Sequence, residues 1–252
     1  MLRAAGVMDT KNNDLPGGAD GALRVLREHS LTTLVRREIE RQIVSGEFAA
    51  GAKLNEVDIS SELGVSRGPV REAFRALDQA GLVRTEKNRG VFVREVSLAE
   101  ADEIYEVRAA LDSMIGRLAA SRKTATQLVR LRSILKRMRA VERVHDADRY
   151  FPLNLEFHQV LAEAAGNAAL AANYQRVVNE LNLCRREMLH HDSENITRST
   201  REHEAVVEAV ARGDGEAASR LLFEHVLGSR ERVHRARAAT VTDAVKSVGK
   251  AA

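Results

Sequence analysis

The sequence predicts a mostly α chain in two parts, an N-terminal winged helix-turn-helix followed by an all-α antiparallel helical bundle. Three observations lead there. Two short amphipathic segments separated by a glycine run straight into a hairpin pattern between Leu54 and Arg94. From Ser97 onward the apolar residues recur with a helical period. Aromatics make up only 4% of the chain and tryptophan is absent, so Leu, Val, Ile and Ala must build the cores, which suits helix packing.

Residues 1–29 are weakly patterned, with Lys11-Asn12-Asn13-Asp14 and Pro16-Gly17-Gly18 in the middle, and read as a mobile arm. A first domain is expected over residues 30–96. Its first helix begins at Ser30 or Thr32, turns Leu34, Val35, Ile39 and Ile43 inward, and ends before Gly46. Asn55 caps a second helix with Val57, Ile59 and Leu63 on its apolar side, and Gly64 ends it. Ser66 caps a third, with Pro69 in its first turn, where a missing N–H costs little. Val70, Phe74 and Leu77 form the buried stripe of that helix, while Arg67, Arg71 and Arg75 share the opposite face. After Gly81, residues 83–86 and 91–94 flank Lys87-Asn88-Arg89-Gly90 as a two-stranded wing. Seven basic against three acidic residues give the stretch from Ser66 to Arg94 a net charge of +4. An arginine-faced helix fits a DNA major groove and a basic hairpin tip fits the neighbouring phosphates.

The remaining properties set limits. At 252 residues and 44% hydrophobic content the chain is long enough for two modest domains. Its single cysteine, Cys184, excludes an intrachain disulfide and fits a reducing compartment. No apolar run approaches the roughly 18 residues of a membrane span, and no signal-peptide core opens the chain. A cytoplasmic location is expected.

The second domain is expected over residues 97–238, with helices near 97–121, 124–144, 147–165, 167–189, 193–211 and 215–238, and a frayed tail over residues 239–252. Ser97-Leu98-Ala99-Glu100 reads as the capping box of the first of these. Seven of the eight histidines fall here. Asn154 and His158 are four apart and share a helix face, and His203 and His225 each lie eleven residues from Asp214, the turn between the last two helices. Antiparallel packing would bring those two level. Three imidazoles and one amide oxygen would make a divalent-metal site with positions left open. The spacing alone equally allows histidines with ordinary hydrogen bonds. His145, His190 and His191, near helix ends, are expected to be exposed. A helical-bundle metal hydrolase using Glu156 or Glu202 as base is a second reading, although no nucleophile–base pair or phosphate-cradling glycine loop accompanies it.

Leu63-Gly64-Val65-Ser66-Arg67-Gly68-Pro69-Val70-Arg71-Glu72-Ala73, Gly81-Leu82-Val83 and Asn88-Arg89-Gly90-Val91 resemble the winged helix-turn-helix of GntR-family bacterial transcription regulators. The second domain resembles the FCD effector domain of the FadR-like branch, through Glu106-Val107-Arg108-Ala109-Ala110-Leu111-Asp112, Phe157-His158-Gln159-Val160-Leu161, Ala164-Ala165-Gly166-Asn167, Glu202-His203-Glu204 and Gly213-Asp214. The resemblance implies operator contacts by Ser66, Arg67, Arg71 and Arg75, with Lys87, Arg89 and Gly90 in the wing. Val57 replaces a further DNA-contacting arginine of some members. A divalent ion, zinc or nickel, is implied on His158, His203 and His225 plus Asn154, which stands where the family carries aspartate. Arg108 resembles the family's pocket arginine; a surface salt bridge to Glu103 or Asp112 is its other reading. Asn179, Asn182, Arg185 and Arg186 are further candidates to line an effector pocket. The implied protein is a homodimeric, ligand-responsive repressor of a palindromic operator, with a small carboxylate or other anionic effector and no membrane partner. The metal ion itself as the signal is an alternative.

Overall fold

A computed structural model describes residues 30–185 and 193–249, with side chains from 184–185, 193–194, 236–237 and 239–249 left aside. The expected N-terminal arm, Arg186, His190 and His191 lie outside the described residues, as does the side chain of Arg185.

The first domain follows its caps and stripes. Helix α1 (Leu31–Ser45) starts at Ser30, whose hydroxyl accepts from the Thr33 amide, and ends at Gly46 in the left-handed region. Val35, Ile39 and Ile43 are buried, but Leu34 is 48% exposed, so the inward stripe is narrower than expected. Strand β1 (Lys53–Leu54) precedes α2 (Glu56–Glu62), capped by Asn55, and α3 (Arg67–Gln79). Strands β2 (Val83–Glu86) and β3 (Gly90–Val93) form the wing. Both pairings are antiparallel in the order β1-β3-β2, so the wing is three-stranded where two strands were expected. Val70, Ala73, Phe74 and Leu77 of α3 close on Ile39, Ile43, Ile59 and Val93 in one core. Val57 is 54% exposed, which removes it from the apolar side of α2 and leaves it on the outer surface.

The second domain contains six helices: α4 (Leu98–Arg122), α5 (Ala125–Glu142), α6 (Ala147–Ala164), α7 (Ala168–Arg185), α8 (Ser193–Arg212) and α9 (Gly215–Gly249). Two details depart from expectation. Ser97 accepts from the Glu100 amide, but the Glu100 carboxylate pairs with Arg94, so only half of that capping box forms; the reciprocal box is at Thr124 and Gln127. Helix α9 continues through Gly249, past the end expected at Ala238. Helices α4 and α9 pack closest at Gly116, where an added Cβ would lie 2.6 Å from the Ala218 carbonyl oxygen. Leu131, Met138, Phe157, Leu161, Val206, Val210 and Leu222 join all but the ends of the bundle into one core. No helix among the described residues is long and apolar enough to cross a membrane.

The two domains touch along α7. Leu183 packs against the core of the first domain. Asn179 Nδ2 donates to the Ala80 carbonyl, at the C-terminus of α3, over 3.2 Å. Glu180 accepts from Arg94 at 2.7 Å and is also paired with Arg176. Gly81, with φ +75°, lies under Glu180, and an added Cβ there would come within 2.6 Å of its Oε1.

Candidate functional site

The basic face of α3 is built as its sequence demands. With Val70, Phe74 and Leu77 inward, Arg67, Arg71 and Arg75 stand out, their side chains 61%, 57% and 73% exposed. Glu56 reaches over from α2 to accept from Arg71 at 2.6 Å, with Arg67 at 3.7 Å. Ser66 occupies the N-cap position, yet its side chain makes no capping hydrogen bond. In the wing, Asn88 and Gly90 take positive φ and Lys87 is exposed at the tip. Arg84 and Arg89 both pair with Glu86 and lie over the Phe92 ring, which steadies two guanidinium groups on one surface.

The histidine cluster forms in the bundle. His158 on α6, His203 on α8 and His225 on α9 are 3%, 0% and 3% exposed, and one nitrogen from each lies within 4.8 Å of the others. Nε2 of His158 and Nε2 of His203 are 3.3 Å apart. Two carboxylates stand at the outer nitrogens: Asp112, which the sequence set only beside Arg108, and Glu202, which entered only as the base of the hydrolase reading. Asp112 Oδ1 is 3.5 Å from His158 Nδ1, and Glu202 Oε2 is 2.7 Å from His225 Nδ1. A carboxylate on Nδ1 fixes the tautomer and leaves Nε2 as the donor atom, the usual arrangement behind metal-binding imidazoles. The +4 spacing of Arg108 and Asp112 was visible in the sequence, but not that α4 would carry Asp112 against α6.

Electrostatics agree with that reading. Burial, reinforced by the neighbouring imidazoles, holds His203 well below the usual histidine range. Burial takes His225 down to about 4 despite the opposing hydrogen bond to Glu202. Burial would raise Glu202, but His225, Arg232 and Arg198 carry it down to about 2. Asp112 is likewise lowered, burial being outweighed by His158 and Arg108. At neutral pH His203 and His225 are therefore uncharged and able to ligate, while both carboxylates are ionised. The donor set fits a divalent ion.

Arg108 is not a surface residue: it is 2% exposed, its Nε donates to Asp112 at 3.2 Å, and its Nη1 makes no hydrogen bond among the described residues. Arg108, Asn154, His158, Asn179 and Asn182 all line one cavity of about 470 Å³. The cavity thus gathers the three effector candidates with described side chains, Arg108, Asn179 and Asn182, and two of the four metal candidates, Asn154 and His158, while His203 and His225 are not in its lining. Its other wall was not foreseen: Arg36, Arg37, Glu40, Arg41 and Val44 of α1 face it from the first domain. His145 is exposed, as expected. The hydrolase reading finds no free base, because Glu156 is paired with Arg137 at the surface and the Glu202 carboxylate is engaged by His225, Arg198 and Arg232.

A winged helix-turn-helix with a bared arginine face, joined to an all-helical domain, has the layout of a DNA-binding transcription regulator. Residues 31–93 match the family described as bacterial regulatory proteins, gntR family, and residues 103–228 match the FCD domain. The chain belongs to the GntR family of transcription regulators, in its FCD-bearing branch, and not to an enzyme family. It is 30% identical over 204 residues to the HTH-type transcriptional repressor RspR of Escherichia coli K12, covering 81% of this chain and 89% of that protein. It is also 30% identical over 204 residues to the HTH-type transcriptional regulator LutR of Bacillus subtilis 168, covering 73% and 92%. The fold is that of E. coli McbR/YncC, with a TM-score of 0.72 at 20% identity over 82% of this chain and 98% of the other.

Proposed function

We propose that this chain is a ligand-responsive repressor that binds a palindromic operator as a homodimer and is controlled by a small anionic metabolite held in the cavity between α1, α4, α6 and α7. The observation that carries this reading is the buried Arg108 guanidinium with an open Nη1, placed in the same cavity as His158 and a set of amide side chains.

On the DNA side, Ser66, Arg67, Arg71 and Arg75 meet the operator through α3, and Lys87, Arg89 and Gly90 through the wing. Twofold symmetry would present two such faces to paired half-sites, and each half-site contributes through the effective concentration of the other. On the ligand side, His158, His203 and His225 would hold a zinc or nickel ion with Asn154, whose neutral amide can ligate without adding charge. The ion would supply a fixed positive charge for a carboxylate to meet. Arg108 orients the acid, and Asn179 and Asn182 offer hydrogen bonds to its hydroxyl groups.

The joint between the domains gives occupancy a route to the DNA face. Asn179 borders the cavity and also donates to the carbonyl that closes α3. An acid that recruits the Asn179 amide takes that donor away from Ala80 and shifts how the winged domain sits. Linkage then makes operator and acid weaken each other's binding equally.

The test begins with purified protein, elemental analysis and thermal shift against a panel of hydroxy acids and sugar acids. Metal content should be near one ion per chain and fall in His203→Ala, and a stabilising acid should weaken binding to an operator selected from random duplexes. Protein that takes up no divalent ion, or acids that bind without any effect on operator affinity, would refute the reading.

A further inference from the structure

The geometry points to an effector site shared by the two domains, in which Arg37 of α1 holds one anionic end of a two-ended acid whose other end sits at Arg108 and the histidine cluster. This rests on the effector cavity proposed above and adds its substrate class and a residue from the DNA-binding domain.

Helix α1 has two faces with separate duties. Val35, Ile39 and Ile43 are committed to the core of the winged domain. The neighbouring stripe of Arg36, Arg37, Glu40, Arg41 and Val44 walls the cavity. Of its three arginines, two are already engaged: Arg36 donates to Glu40 at 2.7 Å, and Arg41 is shared between Glu38 and Glu47. Among the described residues Arg37 has no ion pair, although it borders the same space as Arg108. The two guanidinium groups therefore mark opposite walls of one cavity, one on α1 and one on α4.

Charge and lining together choose the ligand. Among the described residues the cavity's only carboxylate is Glu40, and it is spent on Arg36. Between the walls the lining is largely neutral and hydrogen-bonding, with Asn154, Gln159, Tyr174, Gln175, Asn179 and Asn182. Asn182 Oδ1 is buried without a hydrogen bond among the described residues, which leaves an acceptor for a ligand hydroxyl. A volume of about 470 Å³ is in the range of small-molecule sites and suits a polyhydroxylated diacid. A monoacid would satisfy Arg108 and leave Arg37 unmatched. A diacid bridges body and head, so that binding fixes the winged domain directly.

Isothermal titration of the metal-loaded, full-length protein with D-glucarate and D-gluconate tests this, because the two six-carbon acids differ chiefly in a second carboxylate. Glucarate should bind more tightly by on the order of tenfold, the worth of a charge-assisted hydrogen bond. Arg37→Ala and Arg37→Gln should erase that preference while gluconate affinity stays within about twofold, and Arg37→Lys should restore part of it. A preference that survives in Arg37→Ala, or no preference or no binding in the unsubstituted protein, would overturn the shared site. Arg108→Ala separates the two levels. If it weakens both acids while Arg37→Ala changes nothing, the cavity stands and only the sharing fails; if Arg108→Ala binds both normally, the effector cavity itself fails.

Discussion

Replacing Arg71 by alanine is the sharpest test of the DNA face. The side chain is 57% exposed and its ion pair among the described residues is with Glu56, so its removal should leave the fold and melting temperature essentially unchanged. Its loss should act on the operator complex instead. An arginine that contacts a base edge or phosphate is worth roughly tenfold per half-site, and a twofold complex loses it twice, so affinity should drop about 100-fold. Salt dependence adds a second, independent reading. Each lost phosphate contact flattens the slope of log K against log salt by about 0.9, or about 1.8 for two half-sites. If instead Arg71 reads a base, the affinity loss should concentrate on one operator position and the slope should barely change. Fluorescence anisotropy between about 50 and 300 mM salt, with circular dichroism melting on the same variant, measures all of this. Unchanged affinity on an operator that the parent protein binds would refute the assignment of α3 as the recognition helix.

The other predictions concern the body and the joint. In metal-stripped protein, His225 is held to about 4 when folded but returns to about 6.5 when unfolded, so the unfolded chain takes up the proton first as pH falls. Stability is complete above pH 6.5 and should fall on acidification, by about 2 kcal/mol at pH 5 from this residue alone, with His203 acting in the same direction; urea titrations at pH 7.5 and 5 that agree would contradict the burial argument. Gly81→Ala should lower the melting temperature, since alanine at φ +75° costs about 1–2 kcal/mol and its Cβ would displace Glu180 from Arg94; adding Glu180→Ala should relieve the clash but not the backbone cost. Asn179→Ala removes the same hydrogen bond that the effector would recruit, so it should weaken operator binding by the ligand-free protein toward the effector-bound level and shrink the ratio of affinities without and with effector; an unchanged ratio would remove Asn179 from the coupling route.

What the sequence made legible was local. Caps and left-handed glycines bound α1, α2, α3 and most of the bundle helices within a residue or two, because Ser30, Asn55, Asp146 and Asp214 satisfy amides that any helix start exposes. The level placement of His203 and His225 followed from an antiparallel pair about one turn, and their ring centroids are 4.6 Å apart. What stayed hidden depends on packing between distant elements. Strand β1 is two residues long and exists only by pairing with Val91 and Phe92. Asp112 and Glu202 look like ordinary helix carboxylates until α4 meets α6 and α8 meets α9. The α1 wall of the cavity could not be read at all, since it depends on how α7 seats against the winged domain. Arg37 carries no signal that separates it from the other charges of an amphipathic helix.

Asparagine at position 154 gains meaning from these buried charges. Asp112 is matched by Arg108, and Glu202 by Arg232 and Arg198. The imidazoles of His203 and His225 are neutral at physiological pH. Among the described residues around the cavity, four guanidinium groups accompany a single carboxylate. An aspartate at position 154 would add a negative charge at the point where His158 meets the cavity, binding a cation more firmly while repelling an incoming carboxylate. Asparagine offers an oxygen that could ligate and omits the charge, so under the proposed function the positive excess would be left for the effector to neutralise. In a partly desolvated space such imbalance is costly, which favours anionic over neutral ligands more strongly than it would at the surface. On the proposed reading, an asparagine that would hold a metal less firmly than an aspartate would also favour an acid, and the exposed Arg37 of α1 would extend that preference to a second carboxylate.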